Sequence, residues 1–140
     1  MAAAVVAALC LTVVASGSAA PDASKSQTQI KRGEYLVKAI GQCGDCHTPF
    51  TPTGGFVMDK WLQGKKLEFA PLLPIPIWAP TSPNIAGLEG WDTEKAVQFF
   101  MTGLAANGQP PRPPMPQYKM NRADAEAVVA YLQSLKSSGQ

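Results

Sequence analysis

Histidine is almost absent from this chain: His47 is the single one in 140 residues, beside three cysteines. A structural zinc site normally takes four protein ligands, so one imidazole and so few thiols fall short of it. No uncharged apolar run reaches the roughly 20 residues that a bilayer-spanning helix needs. The lysines are scattered and form no basic block, which argues against nucleic acid. Strands and helices do not alternate, so a thioredoxin-like setting for a pair of thiols is missing. No constellation of acid, base and nucleophile is visible, which points away from catalysis. Proline and glycine, by contrast, are plentiful, at 13 and 12 residues.

What is present is Cys43-Gly44-Asp45-Cys46-His47. Cys-x-x-Cys-His is the pattern of covalent c-type haem attachment. On a helical turn, residues three apart are neighbours, so both thiols can face the two vinyl groups along one haem edge. His47 is then carried under the ring, where an imidazole nitrogen can bind iron. Gly44 and Asp45 read as spacers. A backbone carbonyl near Pro49 is the expected acceptor for the far nitrogen of His47, since ligating histidines are usually oriented that way. With two haem propionates ionised, the formal charge of +2 falls to about neutral.

Residues 1–20 read as an export signal. Ala2 to Val14 is uncharged and apolar, and Ser18 and Ala20 occupy the −3 and −1 positions of a cleavage after Ala20. No Lys or Arg precedes that run, which keeps retention as a weak anchor open. If the segment is removed, Cys10 leaves with it and only Cys43 and Cys46 remain.

A polar, flexible lead-in is expected over 21–29, a domain over 30–136 and a short tail over 137–140. Within the domain, a helix from near Ile30 to about Gln42 carries apolar pairs Tyr35/Ala39 and Leu36/Ile40. Gly33 costs that helix about 1 kcal/mol relative to alanine, which a close helix crossing would justify. The stretch from Thr48 to Gly90 is dense in proline and glycine, and Pro71 to Pro80 cannot be helical. Being apolar rather than polar, it is expected to wrap a cofactor rather than to be disordered. A second helix is capped by Asp92 or Thr93 and stops at Gly103. A third follows Asn121, from about Arg122 to Lys136, with Val128, Tyr131 or Leu132, and Leu135 on its core face.

With one histidine, bis-histidine ligation is excluded, and methionine is the natural sixth ligand for an electron-transfer haem. Met101 sits in a helix beside Phe99 and Phe100, where methionine usually fills core space. Met58 follows His47 too closely to reach the opposite face without a tight wrap. Met115 lies among Pro113, Pro114 and Pro116, whose fixed φ angles hold a loop stiff at little entropic cost. Met115 is therefore the expected distal ligand, with Met120 as the alternative. Two other readings stay on the table: a five-coordinate haem acting as sensor or peroxidase, and a haem-free dithiol–disulfide module.

Taken together, the entry helix, the Cys43–His47 turn, the wrapping middle, the methionine loop and the C-terminal helix resemble a class I cytochrome c. More narrowly, Arg32-Gly33-Glu34-Tyr35-Leu36-Val37, Pro83-Asn84-Ile85, Gly90-Trp91 and Met115-Pro116-Gln117-Tyr118 resemble the cytochrome c subunits of bacterial alcohol, aldehyde, gluconate or molybdenum-hydroxylase dehydrogenases. The resemblance covers about Ile30 to Lys136. It implies an all-α fold of three or more helices with long loops around one covalent haem c, the first and last helices crossing at Gly33 and Tyr131. It also implies His47 and Met115 as axial ligands. The function it implies is single-electron transfer in the periplasm or another exported setting. The partners it implies are redox proteins, a dehydrogenase and/or a terminal oxidase, with membrane association through such a partner. Many such subunits carry three haem domains, whereas this chain has one motif, and its Leu72–Pro80 stretch is unusually proline-rich.

Overall fold

The computed structural model describes residues 22–135, with side chains from Ser26 onward. The proposed signal segment 1–20, Cys10 and the tail 137–140 lie outside the described residues. The helices are α1 (Asp22–Tyr35), the short α2 (Cys43–His47), α3 (Thr93–Thr102) and α4 (Arg122–Ser134). A two-stranded antiparallel sheet, β1 (Lys65–Lys66) with β2 (Thr81–Ser82), pairs Lys65 with Ser82 and Lys66 with Thr81. The fold is thus helical with one small hairpin at the neck of the proline-rich loop.

α1 begins eight residues before the expected Ile30 (30 − 22), so most of the segment anticipated as flexible is helical. Asp22 to Gln29 contains neither proline nor glycine, and extending a helix from a packed segment costs little once its nucleus exists. After Tyr35 the chain widens into a π-turn over Leu36–Ile40, closed by Gly41 N–H donating to the Leu36 carbonyl at 2.7 Å. The wider ring shifts the helical register, and this corrects the expected stripe. Leu36 and Val37 are buried, whereas Tyr35, Ala39 and Ile40 are exposed.

α1 and α4 cross where Gly33 stands. A Cβ there would lie 1.9 Å from the Ala127 carbonyl oxygen and 2.7 Å from Tyr131 Cβ. Only glycine permits that approach. Arg32 braces the same crossing through two bonds to the Asp124 carboxylate, at 2.8 and 3.2 Å. α3 starts as expected, with Asp92 Oδ1 accepting from Lys95 N–H, and stops at Gly103 in the left-handed region, φ 71°. Asn121 Oδ1 likewise accepts from Asp124 N–H to cap α4. The core joins Val37, Leu62, Val97, Phe100, Val128 and Leu132. Tyr131 and Leu132 are both buried, and so is Val129, which the helical spacing alone did not single out.

Candidate functional site: the Cys43–His47 turn and the methionine loop

α2 is the motif itself. Gln42 enters it in the left-handed region, φ 47°, and Thr48 leaves it extended, so the helical turn is confined to the five motif residues. Cys43 and Cys46 are free and partly buried. Gly44 is more than a spacer: it is buried, and a Cβ there would meet the Trp61 ring at 2.6 Å. Trp61 in turn takes the edge of Phe56 at 5.5 Å and donates from Nε1 to the Tyr131 hydroxyl at 3.2 Å. The attachment turn therefore lies flat against an aromatic wall anchored on α4.

His47 is 5% exposed, and its Nδ1 lies 2.8 Å from the Pro83 carbonyl oxygen. A carbonyl can only accept, so Nδ1 carries the proton and Nε2 keeps its lone pair. Burial lowers the His47 pKa, partly opposed by that hydrogen bond, and favours the neutral ring. The orienting carbonyl expected near Pro49 is thus supplied by Pro83. The Pro49 carbonyl is taken instead by Val57 N–H at 2.9 Å. The hairpin explains the switch. Gly64 N–H donates to the His47 carbonyl at 2.7 Å, and the Ser82 hydroxyl donates to the Cys46 carbonyl at 2.5 Å, drawing residues 82–83 beneath the turn. Thr48, fully buried next to His47, accepts at Oγ1 from Leu62 N–H at 2.9 Å.

Of the candidate methionines, Met101 and Met120 pack against the hydrophobic core, and Met58 is 61% exposed. Met115 is half-buried and stands apart from that core. Its loop is held on both flanks. Three residues before it, the Arg112 guanidinium donates to the carbonyls of Ile77 and Trp78, at 2.9 and 2.7 Å, and Ala79 N–H donates to the Pro113 carbonyl at 2.7 Å. Three residues after it, the Tyr118 hydroxyl donates to the Gly41 carbonyl at 2.9 Å. The methionine loop is thereby fastened to the proline-rich loop and to the entrance of the Cys-x-x-Cys-His turn. The local signal for these clamps was present in Arg112 and Tyr118, but nothing in the spacing named their acceptors.

Other polar and aromatic residues of the surrounding loops make local contacts. Asn84 Oδ1 accepts from the nearby Ala86 N–H, Trp91 is exposed with its ring edge on Phe99, and Lys65 lies 3.7 Å above the Phe50 ring. Lys60 and Lys66 are exposed. Among the described residues, no helix is long and apolar enough to cross a membrane.

The donor set fits a covalent haem. Two thiols stand one helical turn apart, an imidazole offers Nε2, and a thioether sits on a braced loop. Trp78 Nε1–H is buried with no acceptor among the described residues. Such a donor costs free energy unless it is satisfied, and a haem carboxylate would satisfy it. The same set fits a dithiol redox module poorly. Burial pushes the Cys43 thiol up to about 11, whereas a redox cysteine needs an accessible thiolate.

Residues 30–136 match the family model of cytochrome c, and the chain belongs to that family. Among curated proteins it is similar to a diheme c-type cytochrome of Cereibacter sphaeroides, 30% identical over 108 residues, which are 73% of this chain and 34% of the relative. It is similar to the cytochrome c subunit of a quinone alcohol dehydrogenase of Gluconobacter oxydans, 38% identical over 85 residues, 59% of this chain and 18% of that one. It is also similar to a fructose dehydrogenase cytochrome subunit of Gluconobacter japonicus, 29% identical over 118 residues, 78% of this chain and 22% of the relative. The matched part of this chain thus spans at most about a third of each relative. Fold and family identify an electron-transfer domain of the kind that carries covalent haem.

Proposed function

We propose that this chain is a mono-haem c-type cytochrome that passes single electrons and performs no substrate chemistry of its own. Cys43 and Cys46 would form the thioethers to the haem, His47 would offer Nε2 to the iron, and Met115 would offer its thioether sulfur, with Met120 as the alternative. The bound haem supplies a one-electron ferric/ferrous couple, whose potential a methionine–histidine ligand pair raises. The residues do the rest. Pro83 holds the imidazole in one tautomer, Trp61 and Gly44 fix the plane of the attachment turn, and the Arg112 and Tyr118 clamps limit motion of the sulfur. Small geometric change between oxidation states is what rapid electron exchange requires, and a braced loop provides it.

The observation that carries this reading is the His47 Nδ1–Pro83 bond, which leaves Nε2 as the free donor on the one histidine in the chain. By its likeness to dehydrogenase cytochrome subunits, the protein serves as a carrier or as the electron-accepting subunit of a dehydrogenase, with a terminal oxidase as a further partner. The apolar segment over 1–20 supports export to the periplasm, with membrane association through the partner or through that segment retained as a weak anchor. Expression in a host able to attach haem, followed by a denaturing gel stained for covalent haem, tests attachment. A stained band with a methionine–ferric charge-transfer band in the native protein is expected. An unstained band would return the dithiol reading, and a stained one lacking the charge-transfer band would favour the five-coordinate sensor or peroxidase.

A further inference from the structure

α1 ends in an unusual way, and its end is where the methionine loop is tied down. After the π-turn, Gly41 closes onto Leu36, and Gln42 turns left-handed into α2. A helix end leaves carbonyls without intrahelical partners, and one of these, at Gly41, receives the Tyr118 hydroxyl at 2.9 Å. The same neighbourhood is crowded: a Cβ at Gly41 would sit 3.2 Å from Cys43 Sγ and 3.5 Å from the Tyr118 hydroxyl. The Tyr118 ring packs beside Phe100 at 6.2 Å, contact that a phenylalanine would keep. The hydroxyl therefore has a task that packing does not explain. It joins the loop carrying one ligand to the residue two positions before the turn carrying the other.

We propose that Tyr118 is a positioning residue whose hydroxyl latches the Met115 loop to Gly41, at the entrance of the Cys43–His47 turn, and so would hold the Met115 thioether in place when haem is bound. This rests on Met115 being the distal ligand. The latch exists only in the closed loop, so its loss raises the fraction of time Met115 spends off the iron. An added ligand then binds more tightly in proportion to that fraction. Burial pushes the Tyr118 hydroxyl up to about 12, so it stays a donor across the neutral range.

The test titrates the ferric holoprotein with imidazole, following loss of the methionine–ferric charge-transfer band, in wild type, Tyr118→Phe and Gln117→Ala. Tyr118→Phe should bind imidazole roughly two- to tenfold more tightly, the size of one net hydrogen bond. Gln117→Ala, exposed on the same loop, should match wild type. Unfolding in guanidinium, followed by far-UV circular dichroism, separates a latch from general weakening. Unchanged imidazole affinity in Tyr118→Phe overturns the latch, even if global stability falls. An equal gain in Gln117→Ala also overturns it, since any loop change would then suffice. A wild type with no such band removes the Met115 reading and the latch together.

Discussion

Substituting alanine for Gly33 should destabilise the protein even though alanine is the better helix former. In an isolated helix the change would gain about 1 kcal/mol. Here the new Cβ would stand 1.9 Å from the Ala127 carbonyl oxygen, where ordinary contact begins near 3.4 Å. The two helices must part by roughly 1.5 Å at that point (3.4 − 1.9), because backbone cannot turn aside as a flexible side chain can. A gap of that order forfeits much of the dispersion energy between facing atoms. Overpacking of this kind costs about 1–3 kcal/mol, and here it falls on the longest helix pair of the fold. Set against the propensity gain, the net loss is about 0–2 kcal/mol, centred near 1 kcal/mol. For a domain of this size that lowers Tm by roughly 4–8 °C. Thermal melting followed by far-UV circular dichroism measures it directly. A Tm that rises would refute the reasoning, since it would mean the crossing has room for a methyl group and propensity alone decides.

Thr48→Val should cost about 1–3 kcal/mol in denaturant unfolding, because it strands the buried Leu62 N–H beside His47; an unchanged midpoint would count against that bond. Trp78→Phe should lower the reduction potential while leaving covalent haem content intact, since a carboxylate without its donor favours the more positive iron; an unaltered potential would separate Trp78 from the haem. Glu94 is held down to about 2 by the Arg122 guanidinium and then by Gln98. A depressed carboxylate stabilises the fold fully above its ordinary 4.5, and that contribution fades as pH falls toward 2. Because the pair is surface-exposed, the effect should be modest. Relative to Glu94→Gln, wild type should hold its advantage above pH 4.5 and lose it by about pH 2, read from denaturant midpoints; an advantage independent of pH would show that the ion pair is not its source.

The helices and their caps could be read from local chemistry. Asp92 and Asn121 are side-chain acceptors at helix starts, Gly103 is a left-handed stop, and Gly33 marks a crossing because only a missing side chain explains a glycine inside a helix. The haem motif is equally local, being five residues whose types and spacing carry the chemistry. Much of what escaped depends on residues distant in the chain. The carbonyl that orients His47 comes from Pro83, 36 positions away, because β1 and β2 pair beneath the turn. Gly44 reads as a spacer until Trp61, brought in by the following loop, lies against it. The π-turn moved the buried face of the entry helix by adding a residue to one ring, and periodicity assumes no such insertion. Proline rigidity singled out Met115, and what the structure adds is what holds that loop: Arg112 on the 77–79 carbonyls and Tyr118 on Gly41. The polar stretch before Ile30 has no apolar stripe to mark a helix, but a helix already packed at one end extends through such residues at little cost.

The most direct measurement compares the ferric absorption spectra of Met115→Ala and Met120→Ala holoproteins with wild type. Met115 stands apart from the core on a loop clamped at both flanks, while Met120 packs into the core and donates its N–H to the Phe100 carbonyl at 3.0 Å. Met115→Ala should therefore lose the methionine–ferric charge-transfer band and leave the iron open to added ligands, while Met120→Ala keeps the band and loses only stability. The reverse pattern, with the band surviving in Met115→Ala and vanishing in Met120→Ala, would contradict the assignment of Met115 and give the distal position to Met120.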